Sequence, residues 1–207
     1  MNPKIELWID PICPWCLIGI TQLERAAASL GYEIEPRLRT FRLHPVWPDE
    51  GMGWRQFQAH RDLPDAIFNR VAKAGAREGL TFEFARITRV PNTAPLHRLL
   101  IAAGGPMQAM AVYRAFIDSY FFRFENLADP AIVTAAALRA GLSGDVIETA
   151  FIDPLIERRM LADEAQARSI GVLGVPFARI GDRLLPGAQG HELYARALSA
   201  STVSAAD

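Results

Sequence analysis

The run Ile5-Glu6-Leu7-Trp8-Ile9 alternates and then breaks at Asp10-Pro11, and a helical pattern opens at Pro14, between Cys13 and Cys16. Apolar positions repeating every second residue are the signature of a strand. Pro14 suits a first helical position, where a missing N–H costs nothing. Leu17, Ile20, Leu23 and Ala27 continue the helix, and Gly31 is its natural stop. A second strand pattern lies within Tyr32 to Leu43, weakened at its start by Pro36. The expected order is β–α–β, with both cysteines at the strand-to-helix junction.

These are the only two cysteines in 207 residues. A disulfide between them closes too small a loop to constrain the unfolded chain much, so a chemical purpose outweighs a structural one. Cys13 falls at the helix N-terminus, where unpaired backbone N–H groups and the helix dipole favour an anion. The thiolate is the form that attacks a disulfide, and such surroundings favour it. Cys16 follows one turn later on the same face, at a spacing a disulfide tolerates. Cys13 is then the candidate nucleophile and Cys16 the candidate resolving thiol. Two rival readings are zinc and inert core thiols. Zinc takes about four ligands, yet there is no second cysteine pair, and His44, His60, His97 and His191 are scattered.

The chain carries 22 basic and 23 acidic side chains, a net charge of −1, which gives no support for nucleic-acid binding or attraction to anionic lipid. Glu6 and Asp10 interrupt the only apolar stretch near the start, so no secretory signal is read there. No stretch approaches the ~18 apolar residues a membrane span needs. A cytoplasmic protein is expected.

From about Pro45 to Gly171 Ala-rich helical patterns dominate, one of them opening at Asp129-Pro130 as an N-cap followed by a first-position proline. Strand character returns at Phe177 to Ile180 and Arg183 to Leu185, flanking Gly181-Asp182, a favoured two-residue hairpin turn. A terminal helix follows Gly187, and from Ser199 a fraying tail is expected.

The segment Asp10-Pro-Ile-Cys-Pro-Trp-Cys16 resembles the active site of DsbA-like thiol–disulfide oxidoreductases, in particular the FrnE-like branch. Gly171-Val-Leu-Gly-Val-Pro176 is similar to that family's G-x-x-G-V-P segment, Gly187-Ala-Gln189 to its G-A-Q segment, and Asn92-Thr93 with His97-Arg98 to its N-T-x-x-x-H-R pattern. The resemblance implies an α/β fold: a thioredoxin-like core of residues 1–45 and 171–200, a large all-helical insertion over 46–170, and a flexible tail over 201–207. It implies a cis Pro176 beside the cysteines, with the backbone of Val175 free to pair with an extended substrate as an added strand. Pro14, Trp15, Val175 and Pro176 are thus candidate substrate-binding residues. The expected partners are protein or peptide thiols and disulfides, met as a monomer or homodimer, with no cofactor beyond the redox pair. Glutathione is a candidate co-substrate.

This chain departs from the pattern twice. Many thioredoxin-like enzymes carry a buried acid six residues before the first cysteine; an ungapped match puts Leu7 there, with Glu6 and Asp10 as candidate substitutes. Phe177 follows the proline where a small polar residue is usual, which changes the groove. Asn92 reads most simply as an N-cap, with a groove role for Asn92 or Thr93 as the alternative, and His97 is not assigned as a base. Phe116, Tyr120, Phe121, Phe122 and Phe124 read as core, with a peptide-binding surface as the alternative. The competing functions are a glutathione-dependent isomerase or transferase of the same architecture, and a peptide-binding protein with an idle pair.

Overall fold

The computed structural model describes residues 3–203. Strand β1 (Ile5–Ile9) leads into helix α1 (Pro14–Ser29) and strand β2 (Arg37–Thr40). β2 is shorter than the sequence pattern suggests; α1 closes with Gly31 at φ 70° and a bond from the Tyr32 N–H to the Ala27 carbonyl, and the chain is extended again only beyond Pro36. At the far end of the chain, β5 (Phe177–Ile180) and β6 (Arg183–Pro186) form the expected hairpin about Gly181-Asp182, followed by the last helix. The main sheet has the order β2-β1-β5-β6, with β1 parallel to β2 and antiparallel to β5.

All five residues of β1 are buried, as befits a strand covered on both faces. Ile5, Leu7 and Ile9 enter the main core with Leu23 of α1 and Leu198 of the last helix. The alternate side chains face the other way. Trp8 packs there with Ala167, Val172 and Phe177, and its indole N–H donates to the Asp163 carbonyl.

Between the two halves of the core the chain forms β3 (Met52–Gly53), α2 (Trp54–His60), α3 (Asp65–Arg77), β4 (Arg89–Val90), α4 (Ala94–Ala102), α5 (Pro106–Ile117), α6 (Pro130–Arg139), α7 (Gly144–Ile152) and α8 (Pro154–Ser169). The insertion is helical except for one feature: β3 and β4 pair antiparallel over two residues, a ladder too short to leave a period in the sequence. α5 ends in a π-helical turn at Asp118–Phe122. Asp129 caps α6 as expected, accepting from the Ala131 N–H. At α4 the cap residue is Thr93, although the Asn92 side chain also accepts from the Ala94 N–H. The last helix, α9 (His191–Val203), continues past Ser199, where fraying was expected. Residues 204–207 of the expected tail lie outside the described residues.

α8 is clamped to the sheet by charge. Arg39 pairs with Asp163 and with Glu6, Asp163 accepts from the Thr40 N–H, and Arg42 pairs with Glu164. The clamp fixes the segment that runs from α8 into the loop before β5.

Candidate active site

Cys13 is the N-cap residue of α1, with extended backbone (φ −88°, ψ 111°) and Pro14 in the first helical position. A tight turn holds it: the Cys13 N–H donates to the Asp10 carbonyl at 2.9 Å, and the Cys16 N–H to the Cys13 carbonyl at 3.0 Å. Cys13 is 4% exposed and Cys16 is completely buried. Both are free thiols. Burial, and after it the Cys13 hydrogen bond, pushes the Cys16 thiol well above its ordinary value. Trp15, between them, is exposed.

The loop before β5 closes over this turn. The Cys13 thiol donates to the Val175 carbonyl at 3.5 Å. The Val175–Pro176 peptide bond is cis, the geometry the resemblance implies. Pro176 rests on α1 at Gly19, where a Cβ would lie 2.9 Å from the proline Cγ. The Gly187 N–H donates to the Pro176 carbonyl at 2.7 Å, and the Tyr194 hydroxyl to the Gly187 carbonyl at 3.2 Å, tying the loop to β6 and α9. Of the sequence candidates, Cys13, Cys16, Pro14, Trp15, Val175 and Pro176 thus lie within one junction of α1 and the loop before β5. Gly19 was not among them, since a helical glycine carries no local signal of a close approach from a distant loop.

Leu7 occupies the position of the usual acid and points into the apolar core. The two candidate substitutes separate cleanly. Glu6 projects from the other face of β1, between Arg39 and Arg179. Burial alone would raise its pKa, but the Arg179 hydrogen bond and the charges of both arginines and Lys4 outweigh burial, and it is held below the usual carboxylate range. Asp10 is wholly buried in the turn that leads into Cys13. It accepts from the Leu43 N–H at 2.8 Å, from the Thr93 hydroxyl at 3.3 Å and, at the limit, from the Ile12 N–H at 3.5 Å. Burial dominates these bonds and the attraction of Arg42, so the carboxyl is pushed up to about 7. His97 Nε2 stands 3.8 Å from Asp10 Oδ1 and has no hydrogen-bond partner among the described residues, and the buried Tyr113 hydroxyl has none among them either. Burial, and then the charge of Arg42, lowers His97 to about 3. Thr93 is therefore committed to Asp10, and His97 is a core residue facing a carboxyl.

The aromatic cluster divides. Phe116, Tyr120 and Phe121 are core, whereas Phe122 is 38% exposed. A small cavity of about 100 Å³ between Pro14 and Phe121 shares Trp54, Phe68 and Phe84 with an open cleft of about 920 Å³ on the insertion. Among the described residues no three His, Cys, Asp or Glu side chains gather in a group that could hold a metal ion, and no helix is long and apolar enough to cross a membrane.

A mixed four-stranded sheet, a helix opening on C-P-W-C and a cis-proline loop over the first cysteine define a thioredoxin-like protein with a helical insertion. Residues 4–199 match the DSBA-like thioredoxin domain, and the chain belongs to that family. A probable DsbA oxidoreductase from Streptomyces coelicolor superposes with a TM-score of 0.86 at 26% identity, over 98% of this chain and 91% of its own. The cytosolic disulfide reductase DsbM from Pseudomonas aeruginosa, in a structure with GSH, shares the fold with a TM-score of 0.66 at 16% identity, over 98% of each chain. The uncharacterised protein YwbO of Bacillus subtilis (strain 168) is 24% identical over 205 residues, 96% of this chain and 97% of its own.

Proposed function

We propose that this chain is a thiol–disulfide oxidoreductase acting on protein or peptide disulfides through Cys13 and Cys16. The observation that carries the reading is the pairing of Cys13 at the N-cap of α1, against the Val175 carbonyl, with a wholly buried Cys16 one turn on, whose N–H donates to the Cys13 carbonyl. Family membership and the similarity to a probable DsbA oxidoreductase support it.

In the reducing direction the Cys13 thiolate attacks one sulfur of a substrate disulfide. The substrate S–S bond breaks, one substrate thiolate leaves, and a mixed disulfide with Cys13 forms. Cys16, as thiolate, attacks the Cys13 sulfur; the second substrate thiolate leaves and Cys13–Cys16 is oxidised. Two electrons pass to the substrate, and the reverse sequence oxidises a dithiol. Val175 offers backbone for an added substrate strand, the buried Pro176 backs it against α1 at Gly19, and Pro14 and Trp15 flank Cys13 at the start of the helix. A cytoplasmic setting is proposed with it, compatible with the cytosolic location given for DsbM.

The test is turnover of a peptide disulfide by the wild type and by Cys13→Ser. Loss of all turnover in the variant supports the reading; full activity without Cys13 overturns it. A second reading, glutathione-dependent isomerisation or transfer, is favoured by one observation, the GSH in the structure of DsbM on the same fold. Retention of both sulfurs weighs against it, and activity of Cys13→Ser toward glutathione adducts would restore it.

A further inference from the structure

Resting on the dithiol reading above, we infer that Asp10 is the group that exchanges a proton with Cys16, and that Thr93 and His97 of the insertion position it for that exchange. The helical insertion then takes part in the chemistry and does not only shape the substrate surface.

Three observations converge. Cys16 is sealed from solvent, so its proton must leave to a protein group or along one. The core supplies no such group from the usual strand position, since Leu7 is apolar and Glu6 is locked between two arginines on the opposite face. Asp10 is the buried acid on the cysteine side: its carbonyl accepts the Cys13 N–H at 2.9 Å in the turn that holds both cysteines, and its charge bears on the Cys16 thiol. The hydroxyl of Thr93, at the cap of α4, reaches its Oδ2, and His97, one turn on, turns toward its Oδ1 an Nε2 that has no partner among the described residues. A buried nitrogen without a partner costs free energy. With its proton on Nε2, the neutral His97 donates to an ionised Asp10 on an approach from 3.8 Å to roughly the 3 Å of a hydrogen bond. His97 thereby favours the ionised form over the neutral one.

The remaining groups facing Asp10 do not compete. Arg42, beyond β2, is paired with Glu164 and contributes a steady positive charge. Tyr113 and Tyr120 are both raised far above neutrality by burial and stay protonated. The step balances as follows. In the mixed disulfide the Cys16 S–H bond breaks and its proton moves to the Asp10 carboxylate. The Cys16 thiolate attacks the Cys13 sulfur, the Cys13–substrate S–S bond breaks, and the leaving substrate thiolate takes a proton from solvent. Asp10 later releases its proton, and the reverse reaction returns one to Cys16.

The test uses the full chain and an aromatic disulfide whose released thiolate is coloured, so the two steps appear as two phases. The first is attack by Cys13 and the second is resolution by Cys16. In the wild type the second phase should quicken with rising pH through an inflection near neutrality, as Asp10 becomes a base. Asp10→Asn should slow the second phase by about 10²-fold or more, the usual scale of a lost general base, and abolish the inflection. The first phase, also measured in Cys16→Ser, should change far less than the second. Thr93→Val and His97→Leu should move the inflection upward, and His97→Gln, which keeps a donor, should move it back. This series decides the matter should Asp10→Asn fail to fold. A wild-type second phase in Asp10→Asn, or an inflection unmoved across the Thr93 and His97 series, overturns the inference. Absence of the first phase in the wild type overturns the dithiol reading instead.

Discussion

His97 Nε2 lies 3.8 Å from Asp10 Oδ1, the spacing of an ion pair, yet at mildly acidic pH the two side chains are both neutral. Burial holds His97 at about 3 against an ordinary 6.5, and Asp10 at about 7 against an ordinary 3.8. In the unfolded chain between those ordinary values both groups are charged. Folding therefore moves one proton from histidine to carboxylate and leaves the number bound unchanged, so the pair adds no pH dependence there.

Removing one partner should expose the other, with opposite signs. His97→Gln leaves Asp10, whose raised pKa contributes stability fully at low pH and loses it as pH rises toward about 7. Asp10→Asn leaves His97, whose neutral buried form costs increasingly as pH falls from 6.5 toward about 3. Relative to the wild type each slope should approach about 1.4 kcal/mol per pH unit. Urea denaturation midpoints across this range read it directly, and parallel profiles for the three proteins would contradict the assignment.

Gly19→Ala should destabilise the fold even though alanine is the better helix former by about 1 kcal/mol. The added methyl would meet Pro176 Cγ at 2.9 Å in a packed interior. Overpacking of this kind costs about 1–3 kcal/mol. The loop must shift off α1, taking the Val175 carbonyl from Cys13, so exchange should slow as well. A variant with raised stability and unchanged rate would show that the loop does not lean on α1.

Phe121 and Phe122, adjacent in sequence, should behave differently. Phe121 is 2% exposed and edge-packed on Tyr120 and Phe82, so Phe121→Ala should cost about 3–5 kcal/mol. Phe122 is part-exposed and stacked on Phe82, which lines the open cleft. Phe122→Ala should spare the fold and lower the rate on peptide disulfides more than on a small disulfide. Equal loss on both substrates would assign Phe122 to packing.

Features governed by short-range chemistry were legible in the sequence. Pro14 opening α1, Gly31 closing it, Asp129 capping α6 and Gly181-Asp182 turning the hairpin all depend on the residues themselves. Features governed by distant partners were not. Glu6 and Asp10 look equivalent along the chain; they part because β1 turns Glu6 toward Arg39 and Arg179, while Asp10 leaves the strand toward α4. α9 runs on past its small polar residues, with Ser201 beside the Gly181 turn. His97 had no sign of its importance beyond its place in a resemblance.

The proposed exchange divides the work between the sulfurs, with attack by Cys13 and resolution by Cys16. It is tested most directly by incubating Cys13→Ser and Cys16→Ser with the same peptide disulfide and weighing the intact products by mass spectrometry. Cys16→Ser should accumulate a mixed disulfide at Cys13, while Cys13→Ser, left with a wholly buried thiol, should accumulate none. Adducts on Cys13→Ser and none on Cys16→Ser would contradict it.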